Sequence, residues 1–241
     1  MVTILQKNIM VSIDNVYQKV LAIANKEQRG YITPQEFNLF ANQAQMDIFE
    51  QYFYDLNQFR RLPGNDTEYA DMVNIIEEKI AIFEKSTYSN ISNGVVTFPT
   101  LHKLGSLFFI NGSDYVEVER VSNKDLHLIN SAPLTAPTAA RPIYVQTSAT
   151  TAQMYPKSTS TNVTVNYIAK PTTVKWTYIV INNKAIHNSG ASDLQNFELH
   201  ASEEQELVLK ILQLAGISIK DYQLASAASN KEVNTVSQQK A

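Results

Sequence analysis

Thr33 to Leu62, TPQEFNLFANQAQMDIFEQYFYDLNQFRRL, decides how the rest of the chain is interpreted. Thr33 suits an N-cap, where a side-chain oxygen accepts from a first-turn backbone N–H that the helix itself leaves unsatisfied. Pro34 fits the first helical position, and Glu36 completes a T-x-x-E capping box. Apolar residues follow at Phe37, Phe40, Ala41, Ala44, Ile48, Phe49, Tyr52, Phe53, Leu56 and Phe59. That spacing keeps one face apolar for about seven turns, roughly 40 Å at ~1.5 Å per residue. Pro63-Gly64-Asn65 stops the run. The pattern predicts one long helix, with Phe37, Phe40, Ala44, Ile48, Tyr52 and Leu56 in the core of a helical bundle.

Two more helices flank this one. Ser12 caps a helix whose stripe is Ile13, Val16, Tyr17, Val20, Leu21 and Ala24, preceded by a short extended arm. Asp66 caps a third, running to about Lys85 with a stripe of Tyr69, Val73, Ile76, Ile80 and Phe83. From Ser86 to about Ser189 the chain turns to Val, Ile, Thr and Tyr in short runs between polar turns, which is the composition of strands. Expected strands are Val95–Phe98, Ser106–Ile110, Tyr115–Val121, Asp125–Ile129, Ile143–Thr147, Ala152–Tyr155, Asn162–Ala169 and Thr177–Ile181. Val116 and Val118 alternate with Glu117 and Glu119, and Ser122-Asn123-Lys124 is expected to turn a hairpin into the next strand. Ser131–Pro142, with three prolines, is a loop. Ser202 and Gln205 offer a second capping box before Leu207, Val208, Ile211, Leu212 and Leu214, with Gly216 as the stop.

The expected fold class is therefore α+β: an antiparallel helical bundle of three N-terminal helices plus a C-terminal helix, carrying a β-rich insertion that forms a small sandwich or barrel. The expected division is residues 1–90 for the bundle, 91–190 for the β insertion, and 191–241 for the returning helix and a polar docking tail.

Composition excludes several function classes. The 241 residues contain no cysteine, so disulfides, thiolate catalysis and sulfur-ligated metals are out. Only seven glycines occur, too few for clustered phosphate-cradling loops. A net charge of −3 gives no bias toward nucleic acid, and no apolar run approaches the ~18 residues of a membrane span. The start, MVTILQKNI, is too short for a signal peptide.

Asn25–Glu36 has the length, central Gly30 and final Glu36 of an EF-hand calcium loop, but Asn25, Glu27 and Arg29 stand where ligands are needed, and a cation at the fifth position opposes Ca²⁺. The capping box and Pro34 account for the same residues as a helix–turn–helix. His102, His127, His187 and His200 show no ligand spacing. Glu77-Glu78 and Glu203-Glu204 read as solvated helix charges, and Arg60-Arg61 as complements to a helix C-terminus. Trp176 is expected to anchor the β layer. No acid, base and nucleophile set converges in the sequence, so neither an enzyme nor a cofactor is expected, and long helices with a strand-rich insertion suit an assembly protein.

Three stretches resemble one family. Gly30–Leu56, GYITPQEFNLFANQAQMDIFEQYFYDL, resembles the N-terminal helix pair of virion structural proteins from tailed phages, especially the crAss-like group and related podoviruses. Tyr167–Trp176, YIAKPTTVKW, preceded by Met154-Tyr155-Pro156, is similar to a β segment of the same proteins, and Asn196–Asp221 is similar to their closing helix. The resemblance implies a head-to-tail connector, a ring usually of twelve copies that docks beneath the portal and prolongs the DNA channel toward the tail. It implies a virion location, assembly in the host cytoplasm, and as partners further copies of the chain, the portal protein, an adjacent tail ring or fibre-associated protein, and double-stranded DNA that passes without specific binding. It also implies that Ile217, Ile219, Tyr222, Leu224, Val233 and Val236 contact the portal or a neighbouring subunit, and that Tyr167, Pro171 and Trp176 anchor the β insertion. The alternatives are another tail ring or fibre-attachment protein, a calcium-responsive module built on Asn25–Glu36, and a wall hydrolase.

Overall fold

The computed structural model describes residues 10–26, 32–60, 72–112, 114–157, 162–218 and 230–231. Among them lie five α-helices: α1 (Ile13–Lys26), α2 (Pro34–Phe59), α3 (Met72–Ala81), α4 (Asn123–Ser131) and α5 (Glu204–Ser218). The strands are β1 (Glu84–Ser92), β2 (Val95–Thr97), β3 (Leu101–Asn111), β4 (Asp114–Arg120), β5 (Ile143–Gln146), β6 (Thr151–Tyr155), β7 (Asn162–Ala169), β8 (Tyr178–Ile181) and β9 (Lys184–His187). The chain divides into two compact units, residues 1–82 with 171–241, and residues 83–170.

The first unit is helical, but it is not the antiparallel four-helix bundle expected from the sequence. α2 packs on α3 and α5, and α1 packs on α5. The reason lies on α2 itself. Asn38, Asn42 and Gln45, spaced i, i+4, i+7, form a polar stripe that grips the extended segment 172–176. Asn38 accepts from Trp176 N–H at 2.8 Å and donates to Trp176 C=O at 3.1 Å. Asn42 does the same for Val174, at 2.9 and 3.0 Å. Gln45 donates to Thr172 C=O at 2.8 Å and accepts from Glu198 N–H at 3.1 Å. Four helical residues rise about 6 Å and two strand residues about 6.6 Å, so side-chain amides stand in for a β partner, register by register. An extended segment thus occupies a flank of α2 that a bundle would give to a helix.

Both parts of the chain build this unit. Ile13 N–H donates to Asn196 Oδ1 at 3.1 Å, and Met10 bridges His200. The Thr33 cap forms as predicted, with Glu36 N–H donating to Thr33 Oγ1 at 3.3 Å and Thr33 N–H donating to Glu36 Oε2 at 2.9 Å.

The second unit is a closed seven-stranded barrel in the order β1-β2-β6-β5-β4-β3-β7, with β7 returning to β1. Its pairs are antiparallel except β4 with β5. α4 makes that parallel crossover, and it replaces the strand expected over Asp125–Ile129. Ser122, expected in a hairpin turn, is the helix N-cap and accepts from Asp125 N–H at 3.3 Å. Leu126 packs with Ile143 and Val145 of β5, while Tyr144 faces the barrel interior with Val96, Met154 and Val165. β5 is therefore buried on both faces. Gly105 sits where the β3–β7 register shifts, and a Cβ there would meet Asn166 O at 2.8 Å.

The boundaries differ from those expected. α3 stops at Ala81, so Phe83 belongs to the barrel unit, and β1 follows at once as a mostly polar strand that periodicity does not flag. The barrel unit ends at Lys170, which leaves Pro171, Trp176 and the 171–190 stretch in the helical unit.

Candidate functional site

Trp176 organises one end of the helical unit rather than the β insertion. It is 1% exposed, its Nε1–H donates to Asp14 Oδ1 at 2.9 Å, and its ring meets Tyr17 with centroids 3.9 Å apart. Tyr178 and His187 stack on it at 5.7 and 5.6 Å. These two residues are cross-strand partners, so the indole seats the base of the β8–β9 hairpin. Asn182 and Asn183, with φ of 51° and 60°, make its two-residue turn, because a type I′ turn needs positive φ at both central positions.

The hairpin is the strongest candidate interaction surface. Side chains alternate, so Tyr178 and Val180 share one face and Ile179, Ile181 and Ile186 the other, with Ile179 directly opposite Ile186. Ile179, Val180, Ile181 and Ile186 are 46–63% exposed. The pair forms a two-stranded sheet of its own, without another strand beside it among the described residues. Isolated two-strand sheets bury too little to be stable alone. Here the indole stack holds the base while the aliphatic face remains open to a partner.

A second feature lies between α2, α3 and the start of α5. A cavity of about 160 Å³ is lined by Ile48, Gln51, Tyr52, Asp55 and Phe59 of α2, Met72, Ile75, Ile76 and Lys79 of α3, and Glu203 and Glu206. Glu203, expected on a solvated face, is 4% exposed and forms an ion pair with Lys79. Lys79 Nζ also lies 5.7 Å from the centre of the Tyr52 ring. Burial pushes the Tyr52 hydroxyl far above its ordinary titration range, and the negative charges of Glu203 and Glu206 push it further, so it stays protonated. Its buried oxygen lies toward the Glu203 carboxylate, short of ideal hydrogen-bond geometry.

Among the predicted core residues, Phe37, Ala44, Ile48 and Tyr52 are buried in the helical unit, and Phe40 and Leu56 are half-buried. Tyr167 packs partly buried against the barrel core, and Pro171 is buried in the helical unit. Ile217 falls within α5, whereas Ile219, Tyr222, Leu224, Val233 and Val236 lie outside the described residues. The four histidines fall apart: His102 on β3, His127 on α4, His187 on β9, and His200 capping the turn Ala201–Glu203. Among the described residues no group of three or more His, Asp or Glu is placed to hold a metal. Glu36, the last position of the EF-hand-like loop, spends its carboxylate on the Thr33 cap, whose hydrogen bonds hold it below the usual carboxylate range. Sequence reasoning missed the hairpin, although two asparagines between Ile181 and Lys184 are a hairpin signal.

No family model matches this chain, and no curated protein matches it.

Proposed function

We propose that this chain is a virion structural protein that forms an oligomeric ring in the head-to-tail connector of a tailed phage, docked to the portal and extending the DNA channel toward the tail. The exposed aliphatic face of β8–β9 is the observation that carries the reading, since a seated hairpin with open apolar residues suits a subunit contact repeated around a ring. The resemblance supports it from a second side. Segment 172–176 lies on α2 through the amide contacts, and Glu198 closes onto Gln45, so portions of all three resembling stretches meet in one unit. In this reading the helical unit forms the ring wall without being a bundle of four. Residues 217–241 contact the portal or a neighbouring copy, and the net charge of −3 leaves DNA free to slide past.

The barrel favours a second reading, in which the chain is a different tail ring or a fibre-attachment protein and the barrel meets the appended part. Mass photometry of the purified protein, alone and with its portal, separates the two. A ring that binds portal, or one that forms only with portal, supports the connector. A ring or a monomer indifferent to portal overturns it and leaves the second reading.

A further inference from the structure

The β8–β9 hairpin leaves main-chain groups open as well as side chains. Asn188 N–H donates to Thr177 C=O at 2.9 Å, so Thr177 and Asn188 form a hydrogen-bonded pair at its base. In an antiparallel ladder, bonded and non-bonded pairs alternate. Along this register, Ile179 with Ile186 and Ile181 with Lys184 turn their N–H and C=O groups inward. Tyr178 and Val180 turn theirs outward along the β8 edge, as do Ala185 and His187 along the β9 edge. The seven barrel strands close on one another, so among the described strands the open edges belong to this hairpin. Such edges are ordinarily blunted by charge, proline or a bulge. Thr177–Asn188, TYIVINNKAIHN, has no proline, its register runs without a shift, and its one lysine, Lys184, sits at the turn.

We propose that these edges pair between copies of this chain, the β9 edge of one copy taking the β8 edge of the next. The pairing rests on the ring reading and names the contact that closes the ring. It sets Ala185 opposite Val180 of the next copy, continuing the ladder in the register the hairpin already uses. β9 and the next β8 then run antiparallel, and Ile186 stands opposite Ile179 of the next copy on the aliphatic face. Edge and face are satisfied together: main-chain donors meet acceptors while the exposed isoleucines join into a continuous apolar row. A two-fold contact of β8 with β8 would leave both β9 edges open, whereas head-to-tail pairing leaves none in a closed ring.

The absence of cysteine gives the test a clean background. Val180→Cys and Ala185→Cys are made on separate, differently tagged full-length chains, because the two residues already face each other within one hairpin. The chains are co-expressed and oxidised with copper phenanthroline. A bonded antiparallel pair has Cα atoms about 5.5 Å apart, within disulfide reach. A disulfide linking the two kinds of chain is expected, with no linked dimer from either variant alone. Val180→Pro removes an outward N–H and spares the hairpin's own ladder, which Trp176 fluorescence checks. It is expected to weaken association at least about tenfold by mass photometry, while Val180→Thr, which keeps that N–H, assembles as wild type. A ring without the mixed disulfide, one in which Val180→Cys links to itself, or one that Val180→Pro leaves intact overturns the edge pairing while the ring reading stands. The mixed disulfide in open chains that never close keeps the pairing and overturns the ring. A monomer without it overturns both.

Discussion

Replacing Asn42 with alanine tests the amide ladder that sets the helical unit apart from a bundle. Asn42 accepts from Val174 N–H and donates to Val174 C=O, and Val174 is 2% exposed. Alanine removes both bonds and leaves both backbone groups without that partner. A net hydrogen bond contributes about 0.5–1.5 kcal/mol and a stranded buried group costs about 1–3 kcal/mol, so the pair is worth roughly 2–4 kcal/mol. With a urea slope of about 2 kcal/mol/M, the midpoint falls by about 1–2 M. Trp176 is the only tryptophan and lies two residues from Val174, so its fluorescence follows this unit specifically. Leu39, 71% exposed on the same helix, is the control: Leu39→Ala stays within about 0.5 kcal/mol. Asn42→Asp is the sharper variant, since a carboxylate keeps the acceptor but turns an oxygen toward Val174 C=O. It is expected to be worse than alanine at neutral pH and to recover on acidification, when the protonated acid regains a donor. An Asn42→Ala midpoint equal to wild type would refute the reasoning.

The double variant Ile179→Thr, Ile186→Thr keeps strand-forming residues on the hairpin, so the unfolding midpoint is expected to stay within about 0.5 kcal/mol while ring formation by mass photometry is lost. Gly94→Ala places a Cβ at φ +76°, 2.7 Å from Met154 O, and should destabilise the barrel unit by about 1–3 kcal/mol, read as faster hydrogen exchange in β1, β2 and β6. Glu36 has a folded pKa below its ordinary 4.5, so its contribution is present above that value and is lost as pH falls through the folded one. Acid titration followed by Trp176 should therefore show a shallower loss of stability in Glu36→Gln than in wild type over that window.

The legible parts of this fold were those whose signal is local. Thr33, Pro34 and Glu36 specify a helix start with their own side chains, and that start forms as spelled. Asn162–Ala169 alternates cleanly, with Val163 and Val165 inside, and is a strand over the expected residues. The bundle was not legible because an amphipathic stripe says that a face is covered and not by what. Asn38, Asn42 and Gln45 look like solvent-facing positions until residues more than a hundred positions later supply backbone groups for them. Asp125–Ile129 is a helix for a different reason, since five residues of mixed polarity fit either period and the deciding signal is the Ser122 cap, one S-x-x-D step away. The acid-lined cavity was invisible because Glu203 and Tyr52 are brought together by packing alone. The exposed hairpin left one sign, the Asn182-Asn183 pair, which the reading passed over.

The helical unit is assembled from both sides of the barrel in sequence, and this sets an order of events on the ribosome. When α1, α2 and α3 emerge, the extended segment that Asn38, Asn42 and Gln45 grip and the helix that α1 and α2 pack against have not been synthesised. The whole barrel is made in between, on the order of ten seconds at ~5–20 residues/s. Nascent chains therefore carry bare aromatic faces on α2 while the later-encoded barrel completes its own sheet first. Chaperone dependence in the host should fall on this interval, and a chain stalled once Lys170 has cleared the ribosome's exit tunnel should display a folded barrel and an open N-terminal segment.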